Sequence, residues 1–326
     1  MRLSQLAELL GGILEGEDRE IRELAAPGQG DRASLVVLRD PQFLGAALQS
    51  PAALLLEEGV SLPADRSALR VPSVQQVWPR VLGFFEAPDR WAQGIHPTAL
   101  IEPGVELAPE VAVGPYTWIR SGARLGRGST IGPFCYIGEG VDIGEETLLE
   151  AHVVVHRGTQ IGPRCRILSG AILGVVGFGF QEGRRLPHAG RVVLEAEVEL
   201  GAGTVIERSV VGETRIGMGS KLGGQCYVAH NCTIGRGVFF AGQVALAGSV
   251  IVEDGVILAG QVGVADHLRI GRGARVAAQS GVSKSIPPEE DWAGSPARPA
   301  RRYWRQLALL DWLLGAERRL RRKLYD

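Results

Sequence analysis

His230 and Gly248 stand eighteen residues apart, and eighteen further on lies Asp266, followed by His267. A neutral imidazole can take the proton from an attacking amine or hydroxyl. A glycine N–H with no side chain beside it can hold the oxyanion that forms when a thioester carbonyl is attacked. Two histidines in line with a glycine would therefore support acyl transfer. The bland alternative is a pair of solvated histidines at two corners of the chain. What decides between them is whether eighteen residues make one structural repeat.

The chain supplies that repeat. From Ile95 an Ile, Leu or Val recurs at every sixth position through Ile101, Leu107, Val113 and onward to Leu173. The beat resumes at Leu194, Leu200 and Ile206, slips by four residues, and runs from Ile216 to Val282, with Phe240 the one aromatic substitute. A long six-residue repeat is the signature of a β-helix solenoid, whose repeats bury a core only by stacking on their neighbours. Three hexads make one triangular coil, so residues eighteen apart stack at the strand spacing of about 4.8 Å. His230, Gly248 and the Asp266-His267 pair then form one column, the two histidines about 10 Å apart.

Composition agrees with this architecture. The 326 residues include 45 glycines and few aromatics, as tight corners and small inward positions require. The balance of 35 basic and 36 acidic residues gives no general attraction to nucleic acid. There is no apolar stretch long enough to span a membrane and no signal-peptide pattern near Met1, so a soluble cytoplasmic protein is expected. Cys135, Cys165, Cys226 and Cys232 all fall in the fifth place of their hexads, where Ala, Val and Thr stand elsewhere. They read as small buried filler, not as ligands or disulfide partners. Zinc needs three or four converging ligands, and His96, His152 and His156 supply no such set.

Three segments are expected. Residues 1–90 lack the hexad: Leu3–Leu10 has helical spacing and stops at Gly11-Gly12. Apolar runs at 35–38, 53–56 and 69–71 predict a small sheet, and a second helix is expected near 74–85, so this part reads as an α/β domain. Residues 95–290 form the solenoid, interrupted at 174–193 by an insertion holding Gly177-Phe-Gly-Phe180, Arg184-Arg185 and His188. Insertions on repeat scaffolds map to loops on one face, often the binding face, so Phe178, Phe180 and His188 are candidate substrate contacts. Residues 291–326 form a helical extension that is locally basic.

At these residues the chain resembles the UDP-3-O-(3-hydroxyacyl)glucosamine N-acyltransferases of lipid A biosynthesis. The resemblance rests on Leu6-Ala-Glu-Leu-Leu-Gly-Gly12, Gly177-Phe-Gly-Phe180, Gly190-Arg-Val-Val193, Val228-Ala-His-Asn231, Gly260-Gln-Val-Gly263, His267-Leu-Arg-Ile270 and Gly294-Ser-Pro-Ala297. It implies a left-handed parallel β-helix of hexapeptide repeats, assembled as a homotrimer, with no permanently bound cofactor. The implied reaction moves a 3-hydroxyacyl chain from the phosphopantetheine of acyl carrier protein to the amine of a UDP-linked glucosamine. By the same resemblance His230 would be the general base, Gly248 the oxyanion donor and His267 a second active-site histidine. The basic helix, with Arg318, Arg319, Arg321 and Arg322, would receive the acidic carrier protein, and residues 1–90 would hold the nucleotide.

The chain also departs from the family. The uracil-stacking stretch, aromatic-x-x-Asn-Pro-x-aromatic, here reads Val37-Leu-Arg-Asp-Pro-Gln-Phe43, so Asp40 and Phe43 remain as candidate contacts with one ring lost. Gly223-Gly224 replaces Asp-Asn upstream of the base, removing the carboxylate expected to orient His230 and leaving Asp266 as a substitute. Tyr227 stands where the family tends to have Gln, and Val175-Val176 where it often has Ser-Asp. Three readings follow: the family reaction, acyl transfer to a different nucleotide sugar or amine, and a carrier-binding solenoid with little turnover.

Overall fold

The computed structural model describes residues 1–63, 65–86 and 91–325, and within the last helix the side chains of 314, 315 and 317–325 lie outside that description. The chain divides into two compact units, Met1–Asp89 and Arg90–Asp326.

In the first unit five strands pair in the order Ile13–Glu15, Ala68–Val71, Ala53–Glu57, Ser34–Val37 and Glu23–Ala25. Only the first pairing is antiparallel. The central strands are apolar on both faces, as parallel strands covered on both sides must be. Leu35, Leu55 and Leu69 pack with the helices Leu3–Leu10 and Val74–Phe85, while Val36, Leu54 and Leu56 face the opposite side. Gly11 closes the first helix in the left-handed conformation at φ 66°. The two edge strands are three residues long and none of their side chains is fully buried, so they carried no apolar run.

The second unit is a parallel β-solenoid. Its coils form three sheets of nine, eleven and ten strands, in which chain-successive strands fall in different sheets until the closing antiparallel pair Asp291–Ala293 and Arg298–Pro299; Phe180–Gln181 and Arg184–Arg185 form a separate hairpin. The register is the one the hexad dictates: Tyr136 pairs with Val154, and Val228 with Leu246 and Leu246 with Val264, each eighteen residues on. Across the insertion Ile172 pairs with Val205, and across the four-residue slip Val205 pairs with Tyr227, so both irregularities leave the stacking intact. Ile119, Ile137, Val155, Leu173, Ile206, Val228 and Leu246 line one inward column and are all buried. Removing the Ile137 side chain to alanine should cost about 2–5 kcal/mol, because neighbours locked by their own ladders cannot close the cavity; denaturant unfolding measures it.

Each hexad turns its corner at the fourth place, where Tyr116, Phe134, His152, Asn231, Ser249 and His267 all have positive φ. The fifth place points inward. There the hydroxyls of Thr117 and Thr147 donate to Gly132 O and Gly162 O at 2.7 and 2.9 Å. The thiols of Cys135, Cys165 and Cys232 make the equivalent bonds to Glu150 O, Glu195 O and Ala247 O at 3.0 to 3.2 Å. All four cysteines are free and buried, and burial pushes the Cys135 and Cys165 thiols up to about 11. Thiol and hydroxyl do the same structural work.

The solenoid ends in a single helix, Ala300–Tyr325. Trp304, Leu309, Leu310, Trp312 and Leu313 are exposed along it. No helix among the described residues is long and apolar enough to cross a membrane.

Candidate active site

His230 lies in the third place of its hexad, one step before a corner. Its Nδ1 stands 3.1 Å from Asn231 Oδ1. That amide oxygen also accepts from Val210 N at 3.1 Å, and Asn231 Nδ2 donates to Val211 O at 3.3 Å, which fixes which end of the amide faces the ring. The Nδ1 therefore carries the proton, and Nε2 keeps its lone pair. Asn231 orients the ring. Asp266, expected to take that part, is exposed and makes no hydrogen bond to His230 among the described residues.

Gly248 sits against the imidazole. A Cβ there would lie 2.6 Å from Cε1 and 3.0 Å from Nε2 of His230. Any side chain would displace the ring, so glycine is required for packing before any role for its N–H is considered. That N–H has no protein acceptor among the described residues, for a reason the repeat explains. Third-place N–H groups lie outside the strand ladder, and a carboxylate in the second place of the preceding coil can cap them. All five second-place glutamates do so: Glu102 accepts from Ser121 N, Glu150 from Ser169 N, Glu195 from Met218 N, Glu207 from His230 N and Glu253 from Arg272 N, at 2.9 to 3.1 Å. The place that would cap Gly248 holds Ala229. Its methyl cannot accept, so the donor stays open.

Glu207 does more than cap. Its side chain is buried, with Oε2 on His230 N and Oε1 accepting from Phe178 N at 3.0 Å and from the Tyr227 hydroxyl. One carboxylate thus ties the inserted segment, the tyrosine and the histidine backbone together. Burial first, and the hydrogen bond to Glu207 second, push the Tyr227 hydroxyl up to about 12, so it stays a donor. Sequence reading overlooked Glu207. The signal was present as an acid in the second place, one coil and the four-residue slip before His230.

A cleft of about 510 Å³ joins these groups, lined by Phe178, Tyr227, Ala229, His230 and Gly248 over the apolar floor of Leu246 and Val264. Three comparisons bear on what it does. A model of the bacterial transferase hexapeptide (six repeats) matches residues 122–157. The UDP-3-O-acylglucosamine N-acyltransferase of Pseudomonas syringae pv. tomato is 36% identical over 241 residues, covering 71% of this chain and 68% of its own. Its namesake from Polynucleobacter asymbioticus is 30% identical over 248 residues, covering 70% of each chain. The chain belongs to the UDP-3-O-acylglucosamine N-acyltransferase family. Among solved structures, the UDP-N-acetylglucosamine acyltransferase of Arabidopsis matches with a TM-score of 0.54 at 28% identity, covering 63% of this chain and 73% of that one. That of Francisella novicida matches at 0.53 and 26%, covering 63% and 69%. The protein is therefore an acyltransferase, as its histidine column suggested.

Within this family member the expected site residues are only partly gathered. His230, Gly248, Phe178 and Tyr227 share the cleft. Phe180 stands edge-on to Phe178 at 5.2 Å, with the Arg185 guanidinium over its ring at 4.9 Å. His188 is buried, its ring 5.4 Å from that of His230 and edge-on to it, and its Nε2 has no hydrogen-bond partner among the described residues. It packs against the His230 ring instead of lining the cleft. His267 occupies the left-handed corner place, above Asn231 and Ser249, so the residue that continues the column of His230 and Gly248 is Asp266 alone. Both lie exposed away from the cleft lining.

Asp40 and Phe43 lie in the first unit, on a cleft of about 740 Å³ shared with Val37, Arg39 and Gln75. Both Asp40 oxygens are engaged by Gln42, one by its N at 3.0 Å and one by its Nε2 at 2.7 Å, so the acid caps the turn Pro41–Phe43. The side chains of Arg318, Arg319, Arg321 and Arg322 lie outside the described residues.

Proposed function

We propose that the chain transfers a 3-hydroxyacyl group from the thioester of acyl carrier protein to the amine of a UDP-3-O-acylglucosamine, as its relatives' name describes. The observation that carries this reading is an imidazole whose Nε2, like the neighbouring Gly248 N–H, has no hydrogen-bond partner among the described residues, both in one cleft. His230 Nε2 takes the proton from the amine as its nitrogen bonds to the thioester carbon. The carbonyl oxygen gains the negative charge and is held by the Gly248 N–H. Collapse of the adduct breaks the carbon–sulfur bond, and the thiolate leaves with the proton returned from His230.

Assembly as a homotrimer is part of the proposal. The exposed tryptophans and leucines of the helix Ala300–Tyr325 form an apolar stretch that a monomer leaves wet. The basic end of the same helix supplies the charge that an acidic carrier protein would seek.

One observation favours a second reading of the acceptor. Asp40 is occupied by its own turn, and Val37 offers no ring opposite Phe43. An amino sugar on another nucleotide would fit that change. Thermal unfolding with UDP-sugars and with other nucleotide sugars separates the two. Stabilisation by uridine nucleotides supports the first reading, and no response to any of them rejects it.

A further inference from the structure

Where the inserted segment leaves and rejoins the solenoid, arginines gather away from the His230 cleft. Arg208 is only 3% exposed. Its Nε donates to Gly174 O at 2.7 Å and its Nη2 to Arg157 O at 2.8 Å, which leaves Nη1 and one Nη2 hydrogen without a protein acceptor among the described residues. Burial, and after it the charge of Arg157, disfavours its protonated form, and among the described residues no carboxylate forms an ion pair with it. A buried guanidinium with no counter-charge is costly unless an anion joins it.

The surroundings provide a place for one. A cleft of about 430 Å³ is lined by Arg157, Arg191, Arg208 and Glu139, three guanidiniums against one carboxylate. Arg191 rests 3.5 Å from Glu213. The N–H of Arg157 is a third-place donor preceded one coil earlier by Gly138, so it too is uncapped among the described residues. The cationic field reaches His156, whose imidazole is held below its ordinary range by burial and then by Arg208.

We propose that this cleft is a binding site for a phosphoryl oxyanion, separate from the cleft that holds His230. Guanidinium forks match the oxygens of phosphate and diphosphate, and a multivalent oxyanion answers Arg157 and Arg208 at once while competing with Glu213 for Arg191. Arg208 clasps Gly174 at the start of the segment that Glu207 holds at Phe178. An anion on Arg208 would therefore steady the root of the segment that carries Phe178 and His188.

Calorimetric titration with inorganic phosphate and pyrophosphate at constant ionic strength tests this. Wild type should bind pyrophosphate saturably, one per chain, with chloride inert. Arg157→Ala and Arg191→Ala, both at exposed side chains, should fold as wild type and weaken pyrophosphate by about tenfold or more. A parallel titration with UDP identifies the source. Equal weakening of UDP assigns the site to a nucleotide diphosphate, and unchanged UDP with weakened pyrophosphate assigns it to a free oxyanion. His230→Ala should bind pyrophosphate as wild type does, whatever its turnover. Absence of saturable binding in wild type, or identical affinity in both arginine variants, overturns the site.

Discussion

His230→Ala is expected to slow acyl transfer by about two decades or more while leaving the unfolding midpoint close to wild type. The two halves of that expectation have separate causes. The rate falls because the variant loses the imidazole that faces the cleft, a contribution of about 10²–10⁴-fold for a positioned base, while the other acceptor lining it, Glu207, has both oxygens engaged by Phe178 N, Tyr227 and His230 N. The fold survives because it is the backbone N–H of residue 230, not its ring, that bonds Glu207 at 2.9 Å, and any residue supplies that N–H. The ring itself rests on Gly248 at the edge of a cleft and belongs to no part of the inward column. Initial rates with saturating acyl carrier thioester, alongside a melting curve, measure both halves. Turnover near that of wild type would remove His230 from the mechanism.

Much of this was legible in the sequence because one physical rule governs most of the chain. Every sixth side chain must be buried and every third hexad must pair, so register follows by counting, and the pairing of Val228 with Leu246 placed Gly248 beside His230. The same counting assigned the cysteines to the place that threonine fills. Where side chains are not constrained by the core, counting fails. The edge strands Ile13–Glu15 and Glu23–Ala25 are held by backbone pairing and were invisible to an apolar pattern. His267 is adjacent in sequence to the column of His230, yet one residue further along is a corner with reversed φ, one place beyond that column. Glu207 was missed for the opposite reason. A buried glutamate looks improbable until its three donors, one each from Phe178, Tyr227 and His230, are seen together.

The family pattern also directed attention to the wrong kind of orienting group. A carboxylate absent at Gly223 suggested that His230 lacked a partner, and Asp266 was the nearest acid by counting. The structure answers with Asn231, the next residue, whose amide is locked from both ends by Val210 N and Val211 O. A neutral amide still fixes the tautomer. It does not stabilise the imidazolium as a carboxylate would.

The second large effect is expected from a change that leaves every proposed catalytic residue in place. Ala229→Glu should reduce turnover by about 10²–10³-fold, the range found when one oxyanion donor is lost. The argument comes from the coil itself. At Glu102, Glu150, Glu195, Glu207 and Glu253 a second-place carboxylate reaches the third-place N–H of the following coil. A glutamate at 229 would reach Gly248 in the same way, occupying the donor and placing a negative charge where the oxyanion must form. Because the solenoid already accommodates this bond five times, the variant should melt no lower than wild type, so lost activity cannot be assigned to unfolding. Ala265→Glu puts the same residue in the same place two coils on, outside the cleft, and should turn over normally. If Ala229→Glu keeps wild-type turnover, Gly248 does not hold the oxyanion, and its glycine serves only to admit the ring of His230.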